Sequence, residues 1–431
     1  MSPKLVALSG WLLMAGLMVS LCAGLSGLLP SYLAGIPIWC ASFLYFPYVR
    51  STQKKQIIIL LVVGSAGLIY GTLNGIGATF WLKALEANQV VVFMLVAVGF
   101  LRLFAVDEMR DNEALPQGKR ALLRTLFGAH LFGAVLNMSS VVIVGDKLAG
   151  KSKLSNTQGL LLLRAFSICA MWSPFFAAMG LTLVSAPGAQ LSTLMTYGIP
   201  ASLAALGLSS WQLLHRFDAA QVYGYPITAR SLWMPCMLAA IVMLAHEYFP
   251  SISVLSLVSV IAIGFIFLWM PVKQGRIGIK KIRLHIESGI ASSRGEVVLF
   301  SAAALLASGV AALLSSLNIQ LAPEHFGAFE ASITVMILVV LAMTGMHPVT
   351  SVVLAGSVLS PSVSDPNLLG LTLLMGWSLG ITLSPFSGIQ LSIQSRYEIA
   401  AKTLLALNWR YILAMLVLCS GIIWLYVFQA K

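Results

Sequence analysis

SSVVIVGDKLAGKSKLSNTQGLLLLRAFSICAMWSPFFAAMGLTL, residues 139–183, and TSVVLAGSVLSPSVSDPNLLGLTLLMGWSLGITLSPFSGIQLSIQ, residues 350–394, align without a gap at an offset of 211. Fourteen of the 45 pairs are identical. Among them are Ser140/Ser351, Val141/Val352, Val142/Val353, Gly145/Gly356, Asn156/Asn367, Gly159/Gly370 and Ser167/Ser378. Ser173-Pro174-Phe175 stands against Ser384-Pro385-Phe386 near the end of the match. Leu-rich chains align easily, but shared Ser, Gly, Asn and Pro do not follow from hydropathy. The offset is close to half of the 431 residues, so the pattern reads as a duplicated half-protein.

Composition fixes the solvent in which the halves sit. Hydrophobic residues make up 59% and charged residues 9%, with a mean hydropathy of +0.92. Soluble domains carry about 25% charged residues. About a dozen stretches reach the roughly 20 apolar residues that a membrane crossing needs. This is an all-α polytopic membrane protein, and it is no nucleic-acid binder, whose basic residues would cluster on one folded face. Cys22, Cys40, Cys169, Cys236 and Cys419 are odd in number, lie in apolar stretches and form no CxxC or Cys/His cluster. Disulfide and zinc readings therefore fail. The apolar run from Lys4 to about Leu29 is too long for a signal-peptide core, and Leu21 before Cys22 spoils a lipoprotein cleavage site. It reads as an uncleaved first span.

The net charge of +12 lies in connections, where the positive-inside rule places it in the cytoplasm. With a cytoplasmic N-terminus, spans at 5–29, 31–49, 56–76 and 88–106 keep Arg50, Lys54, Lys55, Arg110, Lys119 and Arg120 inside. A full span at 122–146 would export Lys147, Lys151 and Lys153; a re-entrant hairpin keeps them in. Spans at 158–184 and 192–214 return Arg216 and Arg230 to the cytoplasm. In the second half, spans at 231–249, 251–272 and 296–317 surround the basic segment from Lys273 to Arg294. A second hairpin at 326–360 opens from the outside, and spans at 367–395 and 407–428 follow. Of 26 Lys/Arg, only Lys83 and Lys431 fall outside. The arithmetic gives eleven spans: one extra at 1–30, then repeats at 31–220 and 221–431. An odd number of spans per repeat inverts the halves, the construction of alternating-access transporters.

Polar residues at membrane depth then mark the candidate site. One hairpin turn reads Asn137-Met138-Ser139-Ser140; the other reads His347-Pro348-Val349-Thr350-Ser351. Pro174 and Pro385 each lack an N–H and break their helices, the second within Ser384-Pro385-Phe386-Ser387. A broken helix frees carbonyls for Na⁺ and N–H groups for an anion. One Ser-Pro-Phe alone would read as a simple kink. Two at repeat-related positions, each beside a polar turn, read as a site. The candidate substrate and ion ligands are Asn137, Ser139, Ser140, Ser173, Pro174, His347, Thr350, Ser351, Ser384, Pro385 and Ser387. Na⁺ is assigned to Ser140, Ser173, Ser351 and Ser384; no other cofactor or metal is expected. His130 reads as a buried neutral histidine with a carbonyl partner, and Arg164 as snorkelling to the cytoplasmic surface. No Asp or Glu lies in the middle of a span, which disfavours a carboxylate proton relay and leaves Na⁺ coupling.

This arrangement resembles the ion transporter superfamily: divalent-anion/sodium symporters, arsenite permeases and the large membrane subunits of TRAP transporters. The resemblance covers most of the chain as architecture, and in motif only the turns and breaks. It implies elevator-like movement of a small carboxylate-like anion, a homodimer and, for the TRAP type, a partner subunit. In the symporters a Ser-Asn-Thr motif lies at hairpin tips. Here Ser155-Asn156-Thr157 falls at the entrance of a span instead. The bacterial inner membrane is the expected location, with lipid as the surrounding partner. A membrane-embedded enzyme is the competing class. It would want His-Glu-x-x-His, which is absent, or acidic metal motifs, for which Asp107-Glu108 and Asp111 to Glu113 are the only candidate.

Overall fold

The computed structural model describes residues 1–108, 115–150, 153–216, 222–225 and 229–430. Lys151, assigned above to the cytoplasmic side, and Asp111 and Glu113 of the acidic loop lie outside these residues. In chain order the α-helices are α1 (Pro3–Ser26), α2 (Tyr32–Tyr45), α3 (Ser51–Leu73), α4 (Thr79–Glu86), α5 (Gln89–Gly99) and α6 (Leu101–Glu108). Next come α7 (Lys119–Leu136), α8 (Met138–Ala149), α9 (Asn156–Cys169), α10 (Ala177–Ser185), α11 (Leu191–Arg216) and α12 (Ala229–Tyr248). The remainder are α13 (Val254–Gln274), α14 (Arg276–Leu284), α15 (Arg294–Leu317), α16 (Ala328–Met343), α17 (Pro348–Leu359), α18 (Pro366–Leu383), α19 (Gly388–Tyr397) and α20 (Ala401–Gln429). Among the described residues no strand occurs, and eight helical segments are long and apolar enough to cross a membrane.

Eleven spans were expected; the stretches read at 31–49, 158–184 and 231–249 are not among the eight, the last forming the shorter apolar helix Trp233–Tyr248. The stretch 158–184 divides into α9 and α10 because residues 170–176 are not helical. The stretch 31–49 stops as α2 at Tyr45 and tightens into a 3₁₀ turn at Phe46–Tyr48, around Pro47. Residues 79–86, read from sequence as a connection, form α4 instead. The chain turns there through left-handed Ala87 and Asn88 into α5.

The described chain forms two compact units, each drawing on both halves of the sequence. The first comprises Met1–Phe104, Ala240–Pro323 and Val353–Ser362. Its most extensive helix pair is α3 with α15. Gly64 and Gly67 of α3 lie against Gly309 of α15, so closely that a Cβ on Gly309 would overlap the Gly64 carbonyl. Lipid offers no hydrophobic drive for two helices to associate; close backbone approach over small residues supplies it instead. The basic segment between α13 and α15 is ordered. Gly275, at φ +56°, turns α13 into α14, and π and 3₁₀ turns carry the chain on to α15. Ile282, Ile286 and Ile290 are buried at a spacing of four, while Lys280 and Arg283 face outward.

The second unit comprises Ala105–Ala239, Glu324–Val352 and Val363–Lys431. Two broken helices, α9–α10 and α18–α19, run through it, and α18 is buried almost throughout. They are antiparallel. Gln190 N, just past α10, donates to Asn367 Oδ1 at the start of α18, 2.7 Å away. At the other end, Lys153 ahead of α9 pairs with Glu398 behind α19 at 2.7 Å. That hydrogen bond from Lys153 holds the Glu398 carboxyl below the usual carboxylate range. Between these ends, Ser378 Oγ of α18 donates to Ser167 O of α9 at 2.7 Å. These two serines are partners in the 211-residue repeat, so the helices cross where equivalent positions meet.

Candidate functional site

Each hairpin turn sits against the break of its own repeat, through equivalent bonds. In the first repeat, Ser173 Oγ donates to Ala134 O, in the last turn of α7, and accepts from Phe175 N at 3.2 Å. In the second, Ser384 Oγ donates to Met346 O at 3.1 Å and accepts from Phe386 N at 3.4 Å. Ser140 Oγ closes its turn on Asn137 O at 2.8 Å; Ser351 Oγ closes the other on Pro348 O at 3.1 Å. Ser140, Ser173, Ser351 and Ser384 are all buried. Each hydroxyl donates its one proton to a carbonyl. Ser140 and Ser351 keep two lone pairs for another partner, while Ser173 and Ser384 keep one.

The two turns differ in how they reverse the chain. Asn137 does so alone, with φ +51°, a conformation that Asn tolerates better than other side-chain-bearing residues. Its Nδ2 donates to Phe175 O at 2.8 Å, a second tie from turn to break. The second turn uses Gly345, at φ +102°, where a Cβ would meet the Phe386 ring at 2.7 Å. His347 is half-buried and its Nδ1 accepts from Val349 N at 3.1 Å, so the imidazole caps the first turn of α17. Thr350 is buried, with its N–H on His347 O at 2.9 Å. Ser139 is half-buried. Pro174 is buried and Pro385 half-buried, each in a non-helical stretch. Ser387 caps α19, accepting from Gln390 N at 3.4 Å and donating to Ile381 O at 2.9 Å. All eleven predicted residues thus lie in one unit, on the two turns and the two breaks.

The breaks are less open than sequence reasoning expects. Beyond Ser378 on Ser167 O, Ser202 Oγ donates to Ile168 O at 3.3 Å. In the second repeat, Gln390 Nε2 donates to Thr382 O at 3.0 Å and Gln394 Nε2 to Pro385 O at 3.2 Å. Side chains therefore occupy several carbonyls that a broken helix would otherwise leave free. Gln390 is completely buried and its Oε1 has no partner. Sequence reading missed Gln390, Gln394 and Ser202. The signal available was a pair of Gln residues four apart, just past a Ser-Pro break.

His130 has the contacts of a neutral buried histidine. Its Nε2 accepts from Trp172 Nε1 at 3.1 Å, so the proton sits on Nδ1, facing Ala165 O at 3.1 Å. Arg164 contradicts its expectation. It does not snorkel; its side chain is fully buried within the second unit. Ser155 caps α9 in a reciprocal capping box with Gln158, which places Ser155-Asn156-Thr157 at a helix start and away from the turns.

No protein-family model and no curated protein matches the chain. Among solved structures it is similar to the YdaH transporter of Alcanivorax borkumensis, at 15% identity and a TM-score of 0.47, over 79% of this chain and 85% of that one. It is also similar to MtrF of Neisseria gonorrhoeae, described with a class of antimetabolite efflux pumps. There the identity is 11% and the TM-score 0.48, over 86% of this chain and 95% of that one.

Proposed function

We propose that this protein is a secondary active transporter of a small carboxylate-like anion, coupled to Na⁺ and working by elevator-like alternating access. The supporting observation is the paired tie between hairpin turn and helix break, made by repeat-related serines in antiparallel helices. Inverted repeats of this kind let one site face each side of a membrane in turn by exchanging the conformations of the halves. Ser140, Ser173, Ser351 and Ser384 offer hydroxyl oxygens suited to Na⁺, a hard cation. Asn137, Ser139, His347, Thr350 and Ser387, with the backbone around Pro174 and Pro385, supply polar groups for the anion. The resemblance to the ion transporter superfamily points the same way and adds a homodimer.

Lys153, Arg396 and Lys402 gather at the end of the second unit where α9 and α20 begin. By the positive-inside rule that end is cytoplasmic, as is the N-terminus, in a bacterial inner membrane. The test is uptake into proteoliposomes of radiolabelled mono- and dicarboxylates, with and without an inward Na⁺ gradient. Accumulation of at least one carboxylate that collapses without the gradient is expected. Uptake driven equally by a proton gradient and indifferent to Na⁺ would remove the sodium assignment. No uptake of any anion would remove the substrate class.

A further inference from the structure

Arg164 lies about two turns into α9, in the interior of the second unit. Its Nε donates to Asn408 Oδ1 on α20 at 2.9 Å, and the guanidinium lies over the Tyr411 ring, 4.3 Å from the centroid. Nη1 and Nη2 find no acceptor. Neither does Asn408 Nδ2, although Asn408 is completely buried. Ser209 of α11 is buried beside Tyr411 and hydrogen-bonds with its phenol, so it offers the guanidinium no acceptor of its own. Among the described residues, the ionisable groups that act on the guanidinium are Tyr411 and Arg216, at the end of α11. Neither is a carboxylate, and Arg216 is a second cation.

A guanidinium does not lose its proton in a protein, so this charge cannot be relieved by titration. A buried charge is tolerated when it is paired and hydrogen-bonded, and is strongly destabilising otherwise. The Tyr411 ring face offsets part of the cost. A water molecule could accept hydrogen bonds here but could not neutralise the charge. Every unmatched group in the cluster is a donor, which is the complement of an anion.

A cleft lies at the start of the same two helices. It is open, encloses about 600 Å³ and is lined by Asn156 and Thr157 of α9 and by Lys402, Thr403, Ala406 and Leu407 of α20. Leu407 immediately precedes Asn408. The cleft thus combines Lys402 with the first turns of two helices, whose exposed N–H groups favour negative charge. We propose that Arg164 Nη1 and Nη2 and Asn408 Nδ2 hold a small inorganic anion of halide size. The site is separate from the hairpin turns: Arg164 lies within α9, which ends at Cys169, ahead of the break that holds Ser173. It stands or falls independently of the transport reading.

The test is thermal unfolding of the purified full-length protein in detergent, at constant ionic strength, as chloride or bromide replaces gluconate. Wild type should gain roughly 3 °C or more with either halide, because a ligand stabilises the state that binds it. Acetate should give no such gain. Arg164→Met should abolish the halide shift. Asn408→Asp brings a carboxylate to the guanidinium, and should raise the midpoint in gluconate while removing the halide response. If Arg164→Met does not fold, Asn408→Asp and bromide anomalous scattering beside Arg164 in crystals decide the matter. Equal wild-type midpoints in chloride and gluconate would overturn the proposal. So would a halide shift that survives in Arg164→Met or Asn408→Asp, or stabilisation by acetate alone.

Discussion

Ser173→Ala removes one hydroxyl and leaves two backbone groups without partners, Ala134 O and Phe175 N. Hydrogen bonds between membrane helices are worth on average about 0.6 kcal/mol, at most about 1.7. A buried backbone group left unpaired costs about 1–3 kcal/mol. Two lost bonds in a buried site therefore weaken the hold of the first hairpin turn by about 2 kcal/mol, roughly a 30-fold change in its opening equilibrium. Hydrogen–deuterium exchange of a peptide covering residues 134–140 reads that equilibrium directly. Exchange should quicken roughly 30-fold while peptides in the first unit stay unchanged. Ser384→Ala should do the same to residues 344–351, because it strands Met346 O and Phe386 N. Ser139→Ala, half-buried and outside these ties, is the control and should change exchange by less than about twofold. Unaltered protection in both serine variants, or equal loosening by Ser139→Ala, would refute the tie as the anchor of the turn.

Four further outcomes rest on residues of the same two units. Ser140→Ala and Ser351→Ala should lower the response of uptake to Na⁺ more than they lower expression, and Pro174→Ala and Pro385→Ala should insert normally yet lose most uptake, both measured in proteoliposomes. Gly309→Ala should reduce the yield of folded protein on size-exclusion chromatography, since its Cβ would overlap the Gly64 carbonyl; overpacking of this kind costs about 1–3 kcal/mol. Gly207→Ala, with nothing near its Cβ, should not. Asp146 accepts from Arg396 Nη1 at 3.1 Å and from Tyr397 Oη at 2.9 Å, joining α8 to α19; Asp146→Asn should therefore speed exchange in residues 142–149, and an unchanged rate there would show the pair to be incidental.

The contacts between hairpin turns and helix breaks were legible where the sequence writes them twice. Ser173 and Ser384, Ser140 and Ser351, and Ser167 and Ser378 are identical across the offset, and the structure uses each pair for an equivalent bond or, in the last case, for the contact between the two helices. Proline made the breaks visible because it alone removes a helical donor. Gln390 and Gln394 were not legible. They have no counterparts in the first repeat, where Met179 and Leu183 stand, and a Gln in an apolar segment does not announce whether it caps a carbonyl or faces a ligand. Arg164 was misread because one-dimensional position near a span end looks like access to water. Only the approach of α20, carrying Asn408 and Tyr411, closes that route. The basic segment does lie between α13 and α15, but its internal order was not legible. Its Lys and Arg suggested a connection, while the four-residue spacing of Ile282, Ile286 and Ile290 held it as ordered turns.

Accessibility of the first hairpin turn from the two faces of the membrane tests the central claim most directly. Cys169 and Cys419 are buried, and Cys22, Cys40 and Cys236 are exposed. All five would be replaced and Ser139→Cys introduced. Membrane-impermeant thiol reagents would then be applied to right-side-out and to inverted vesicles. A site that alternates between the two faces should be labelled from both, in proportions that shift when Na⁺ is added. Labelling from a single face under every ionic condition would contradict alternating access at this site.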